Sequence, residues 1–214
     1  MITDDSHYFA LAAAYVRGVA GDRALDDVAA VERGERHGMR LHRFKRTGGL
    51  QRVRAVLGAL RGFGATSIVD LGSGRGAFVW PLLDALPEVT ITTTDLLPHR
   101  ALLFSQVARG GVERLRSVRC DATALPLIDG AADCVTTLEV LEHMPGESPS
   151  VAAREAMRVA RIAVIATVPS HEDDNPEHVQ LFDGDRLAAM FRAAGARRVA
   201  IDHVLNHIVA VATK

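Results

Sequence analysis

The sequence predicts an α/β fold built on a seven-stranded sheet. Five strands are expected to be parallel, with a C-terminal antiparallel hairpin, helices on both faces and a helical extension at the N-terminus. Three observations lead there. From Ser67 onward, short apolar runs alternate with segments of helical spacing, the pattern of a parallel sheet covered on both sides. Ile68-Val-Asp-Leu-Gly-Ser-Gly-Arg-Gly-Ala-Phe78 reads as a buried strand, a glycine turn and the start of a helix. The last two strand-like runs, Arg198–Val204 and His207–Ala212, are separated only by Leu205 and Asn206, so they must close as a hairpin.

In chain order, residues 1–62 stand apart and are read as a helical cap or lid on a catalytic domain spanning 63–214. Tyr8, Leu11, Ala12 and Tyr15 recur at helical spacing, and Gly18 and Gly21 are expected to end that helix. Glu32 to Arg46 is read as a linking helix rich in basic residues: Arg33, Arg36, His37, Arg40, His42, Arg43, Lys45 and Arg46. It is either a solvated face or a lid that turns Arg or His toward an anionic substrate. A third helix, about Leu50 to Leu60, sets Leu50, Val53, Val56, Leu57 and Leu60 on one face, and Gly62 and Gly64 stop it.

The later strands are Val89–Thr94 finishing at Asp95, Ser117–Cys120 finishing at Asp121, Asp133–Leu138 finishing at Glu139, and Ile162–Val168 stopped by Pro169. Helices are expected over Ala77–Ala85, about His99–Arg109, Pro149–Ala160 and Asp183–Ala194, the last capped by Gly195.

Composition sets limits on function. The 214 residues suit one domain with an added helical segment, and 48% apolar with 24% charged residues is ordinary for a globular protein. A net charge of −1 gives no global field for nucleic acid or membrane, and no apolar run nears the ~20 residues that span a bilayer. Cys120 and Cys134 fall in predicted strands without metal-ligand spacing and read as reduced core residues of a cytoplasmic protein. Asp4 and Asp5, with no basic-then-apolar pattern after them, do not resemble a secretory signal. Oligomeric state is not encoded in any motif.

The glycine turn carries the chemistry. Glycines allow a tight turn and close approach of backbone to ligand, and the helix behind offers unpaired N–H groups. A dinucleotide fingerprint needs G-x-G-x-x-G, whereas here the order is Gly72-x-Gly74-x-Gly76. Asp70, just ahead of the turn, would repel a pyrophosphate and welcome an ammonium group. Asp95 ends the second strand 19 residues after Gly76, near the offset at which an acid meets ribose hydroxyls. Asp121, with Ala122 behind it, ends the third strand.

The whole pattern resembles the first motif of the class I S-adenosylmethionine-dependent methyltransferases, and the likeness runs over about residues 65–214. It implies a Rossmann-like fold and S-adenosylmethionine as cofactor. Contacts to that cofactor would come from Asp70, Gly72, Ser73, Gly74, Gly76, Asp95, Leu96, Asp121, Ala122 and Glu139, with Asp121 near the adenine amino group. In one departure, Val159-Ala-Arg-Ile162 replaces the glycine pair usual before the fifth strand, so a surface turn there is expected to be shortened or rearranged.

After the fourth strand, Leu138-Glu-Val-Leu-Glu-His-Met-Pro145 resembles the segment of small-molecule methyltransferases where methyl donor faces acceptor. Read as one helical turn, it puts Glu139 on a face with Glu142 and His143. Histidine suits removal of a proton near neutral pH, so His143, Glu142 and His178 are the catalytic candidates. His178 lies in the polar loop Pro169–Phe182 with His171, Glu172, Asp173, Asp174 and Glu177.

Glu139, Glu142, His143 and His178 together resemble the metal-binding set of small-RNA 3′-terminal 2′-O-methyltransferases, and the Glu-x-x-Glu-His string also resembles ubiquinone-pathway O-methyltransferases. The likeness implies a site for Mg²⁺, Mn²⁺ or Zn²⁺. The expected activity is methyl transfer from S-adenosylmethionine to an O or N nucleophile of a small-molecule acceptor, in a biosynthetic role. The alternatives are an RNA 2′-O-methyltransferase, disfavoured by 5% aromatic content and near-zero charge, and a non-catalytic protein that binds S-adenosylmethionine.

Overall fold

The computed structural model describes residues 6–45, 51–172 and 174–214. Asp4, Asp5, Arg46, Leu50 and Asp173, named above, lie outside them. The helical extension comprises α1 (Ser6–Ala20), α2 (Asp27–Arg36) and α3 (Gln51–Gly62). β1 (Ser67–Leu71), α4 (Val79–Ala85), β2 (Thr90–Asp95), α5 (Pro98–Arg109), β3 (Leu115–Arg119) and β4 (Ala132–Leu138) follow. The chain ends with α6 (Ser148–Val159), β5 (Ala160–Pro169), α7 (Gly184–Ala193), β6 (Arg198–Val204) and β7 (His207–Thr213).

The sheet order is β3-β2-β1-β4-β5-β7-β6. β1 to β5 are parallel as expected, and β7 runs antiparallel to both β5 and β6. The hairpin therefore inserts its second strand beside β5, leaving β6 at the edge and parallel in direction to β1–β5. Chain order reverses between β1 and β4, so a crevice opens at their carboxyl ends.

The strand period of two divides the core. Ile68, Ile91, Cys134, Ile165 and Val209 face one side, packed under α1, α2, α3, α4 and α5. Val69, Val135, Val164, Ile208 and Ala210 face the other, under α6 and α7. The N-terminal helices thus bury their apolar faces in the same core as the sheet.

Several boundaries differ from the sequence expectation, each for a local reason. Gly18 lies inside α1 rather than ending it, and it serves close helix packing: a Cβ there would sit 1.8 Å from the Gln106 carbonyl oxygen of α5. Gly21, at φ +68°, follows the helix end. The basic linking helix stops at Arg36, since Gly38 takes φ +66° and the chain continues as a 3₁₀ turn over Leu41–Arg43. β3 ends at Arg119, so Cys120 lies past the strand rather than in it, and only Cys134 is buried in the core. No turn separates α6 from β5: Ala160, buried opposite Ala132, starts the strand directly. Among the described residues no helix is long and apolar enough to cross a membrane.

Candidate active site

A cleft of about 570 Å³ lies at the carboxyl ends of β1, β2 and β4. Its floor is the glycine turn after β1. Gly72, Gly74 and Gly76 all adopt positive φ, at +61°, +60° and +88°. A Cβ on Gly72 would approach Val140 Cγ2 to 2.6 Å, and one on Gly76 would lie 2.1 Å from the Trp80 ring. Those two glycines let the turn close on its own neighbours. Gly74 differs: an added Cβ would meet only the Gly72 carbonyl oxygen, at 3.8 Å, so the space beside it is open. The turn extends to Phe78, and α4 starts at Val79 rather than Ala77.

Two backbone donors tie this turn to β2. Ser73 N–H donates to the Thr94 carbonyl and Gly74 N–H to Asp95 Oδ2, both at 2.9 Å. Asp95 Oδ1 accepts from Leu97 N–H, also at 2.9 Å, and Arg100 Nη1 stands 3.8 Å from Oδ2. Asp95 thus shapes the loop while its carboxylate borders the cleft, with Leu96 exposed beside it.

Asp70 is buried at the end of β1, and the Thr136 hydroxyl donates to its Oδ1 at 2.6 Å. Burial pushes its carboxyl up to about 6, against the lowering effect of that hydroxyl. Asp121 is exposed at the cleft rim, and the Thr123 N–H and hydroxyl both donate to Oδ1, holding it below the usual carboxylate range. Every cofactor residue expected from the sequence, including Ser73, Ala122 and Glu139, borders this cleft except Gly76, which the Trp80 ring covers.

The segment after β4 departs from the helical reading. Leu141–His143 is a 3₁₀ turn, and Glu139 precedes it at φ +56°, a left-handed conformation unusual for a residue with a side chain. Its carboxylate does not share a face with Glu142 and His143. Thr167 Oγ1 donates to Glu139 Oε1 at 2.9 Å, and His207 Nε2 lies 3.0 Å from Oε2. The expected four-residue metal set therefore divides. Ligand atoms of Glu142, His143 and His178 gather within 4.8 Å of one another, without Glu139.

The loop after β5 docks on this turn. Val179 and Gln180 N–H both donate to the Glu142 carbonyl, and the His143 and His178 rings meet edge-on at 4.7 Å. His143 Nδ1 lies 2.9 Å from the Glu177 carbonyl oxygen. A carbonyl can only accept, so Nδ1 carries the hydrogen and a neutral ring keeps its lone pair on Nε2. His143 and Glu177 border the cleft; Glu142 is buried behind them.

Some lining residues escaped the sequence reading. Arg52 reaches the cleft from α3, Arg100 from α5 and Cys120 from beyond β3, where burial pushes the thiol up. Among the described residues of the extension, Arg52 and Val53 line the cleft, while the basic stretch from Arg33 to Lys45 does not. Topology supplies these neighbours; the one sequence signal was a helix ending just before β1.

Residues 69–165 match the family described as methyltransferase domain. A curated relative, malonyl-[acyl-carrier protein] O-methyltransferase of Geobacter sulfurreducens, is 33% identical over 95 residues, covering 44% of this chain and 35% of its own length. The chain thus spans about a third of that relative. Solved structures share the fold. Magnesium protoporphyrin IX methyltransferase of Synechocystis, with bound S-adenosylhomocysteine, gives a TM-score of 0.62 at 17% identity over 77% of this chain and 82% of its own. The 1,6-didemethyltoxoflavin-N1-methyltransferase of Burkholderia thailandensis, also with S-adenosylhomocysteine, gives 0.61 at 23% identity over 76% of each chain. With its glycine turn, strand-end acids and 3-2-1-4-5-7-6 sheet, this chain has the fold of these methyltransferases, and its residues 69–165 are similar to the methyltransferase-domain family.

Proposed function

We propose that the protein transfers the methyl group of S-adenosylmethionine to an oxygen or nitrogen of a small-molecule acceptor. The observation that carries this reading is the cleft itself. Three carboxyl groups, Asp70, Asp95 and Asp121, border one pocket whose floor is open beside Gly74. A nucleoside with a cationic amino-acid end fits that set: Asp70 suits the ammonium, Asp95 the ribose hydroxyls and Asp121 the adenine edge. When bound, the cofactor supplies a methyl group already activated by a positively charged sulfur.

The chain's own residues then align the acceptor and take its proton. His143 is the base in this reading, because its Nδ1–H is held by the Glu177 carbonyl. Residues 1–62 act as the cap through Arg52 and Val53 of α3. The names of the relatives span a carrier-bound malonyl group, a porphyrin and a toxoflavin precursor, so they support a small-molecule acceptor without choosing one.

A second reading rests on the gathering of Glu142, His143 and His178. One carboxylate and two imidazoles suit Mn²⁺ or Zn²⁺ better than Mg²⁺, which prefers oxygen ligands. Such a cation would occupy His143 and replace its role as base. The test is methyl transfer from radiolabelled S-adenosylmethionine to a panel of phenols, catechols and amines, with and without EDTA. Turnover that survives EDTA and falls in His143→Ala supports the base; loss with EDTA and recovery with Mn²⁺ supports the metal. No methylated product from any acceptor counts against an enzyme and for a binding protein.

A further inference from the structure

Three parts of the chain meet at one end of the cleft, two of them outside the residues matched to the methyltransferase family. Arg52 comes from α3, Glu139 from the end of β4 and His207 from the start of β7. Arg52 borders the cleft with its side chain 19% exposed, its Nε 3.9 Å from Glu139 Oε1. That carboxylate is already served at both oxygens, by the Thr167 hydroxyl and by His207 Nε2.

His207 bridges this group. Its Nδ1 lies 2.9 Å from the Leu205 carbonyl oxygen and its Nε2 3.0 Å from Glu139 Oε2. Both Glu139 oxygens thus have closer partners than Arg52, whose positive guanidinium stands 3.9 Å away at the border of the cleft. The surrounding sequence carries the same sign: residues 36–69 contain eight Arg or Lys and no Asp or Glu, in a chain whose net charge is −1.

We infer that Arg52 is a carboxylate-binding residue of the cleft, positioned by Glu139, which Thr167 and His207 hold in place. A guanidinium takes a carboxylate through two parallel N–H bonds, a geometry that lysine lacks. The carboxylate has two candidate sources, the amino-acid end of the cofactor or an acidic acceptor. The first rests on the function proposed above; the second does not.

The test is calorimetric titration of the full chain and of Arg52→Gln, Arg52→Lys and Arg54→Gln. The first arm compares S-adenosylhomocysteine with its decarboxylated analogue, which keeps the ammonium. The second compares benzoate with benzamide, on protein alone and on protein saturated with S-adenosylhomocysteine. If the cofactor is the source, Arg52→Gln weakens S-adenosylhomocysteine about tenfold or more, leaves the decarboxylated analogue unchanged, and Arg52→Lys recovers part of the loss. If an acceptor is the source, Arg52→Gln leaves both nucleosides alone and abolishes a preference for benzoate over benzamide. Arg54, exposed on the same helix, serves as the control, and Arg54→Gln matches wild type in both arms. Thermal melts of each variant separate lost binding from lost folding.

The inference is overturned if Arg52→Gln, folded, keeps both ratios, or if Arg54→Gln changes them equally. Failure of wild type to bind either nucleoside would refute the cofactor reading, and the benzoate arm would then decide this inference alone.

Discussion

Replacing Asp70 with Asn separates the stability of this protein from its binding. Asp70 is 2% exposed, and burial raises its carboxyl from 3.8 to about 6, with Asp95 adding a smaller repulsion. Between those values the folded chain holds a proton that the unfolded chain has released. Stability therefore falls as pH rises through that window, and the loss is complete above about pH 6. At 1.36 kcal/mol for each pH unit between the two values, the loss is about 3 kcal/mol.

Asparagine has the same shape, and its side-chain oxygen still accepts the Thr136 hydroxyl, but it has nothing to ionise. Asp70→Asn should match wild type near pH 4 and exceed it by up to about 3 kcal/mol near neutrality. Binding should move the other way. An ammonium ligand favours the ionised carboxyl, so wild-type affinity for S-adenosylhomocysteine rises from about pH 5 to 7 and the Asn variant lacks that rise. Urea melts of both proteins across that range give the stability difference, in which other titrating groups cancel. A difference that stays flat with pH, or a variant less stable than wild type at neutrality, would refute the reasoning.

Gly76→Ala puts a methyl group on a backbone at φ +88° and 2.1 Å from the Trp80 ring, so urea melts should show a loss of about 2–4 kcal/mol. Gly74→Ala meets no such obstacle and should lose binding to S-adenosylhomocysteine more than stability, which paired melts and titrations would show. His143→Ala should slow turnover about 10²–10⁴-fold with the cofactor dissociation constant nearly unchanged, as single-turnover assays would report. Glu139→Ala should leave any Mn²⁺ affinity intact while Glu142→Ala removes it, because the gathered ligand atoms exclude Glu139; electron paramagnetic resonance of added Mn²⁺ reads this directly.

The sheet was readable because its signals are local. Alternating runs marked the strands, two intervening residues forced the hairpin, and an acid ends β2 and another directly follows β4. The glycine-turn side of the cleft was readable for the same reason: Asp70, Gly72 and Gly74 sit in one short stretch, and strand ends converge on one edge. Contacts made by topology were not. His207 pairs with Pro169 across the sheet, which brings it to Glu139 over 68 residues, and no local pattern announces that. Arg52 depends on where α3 lies on the sheet. Glu139 departs from the helical period because the chain turns left-handed there, a conformation that only Gly or Asn announces in sequence.

The central claim is that the glycine turn and strand-end acids form an S-adenosylmethionine site. Its most direct test is titration of the full chain with S-adenosylhomocysteine beside NAD, in wild type and in Asp95→Ala. The expected result is one-to-one binding of S-adenosylhomocysteine in the micromolar range, no heat from NAD, and loss of binding when Asp95 no longer holds Gly74 and Leu97. Binding of NAD instead, or of neither ligand to the folded wild-type protein, would contradict it.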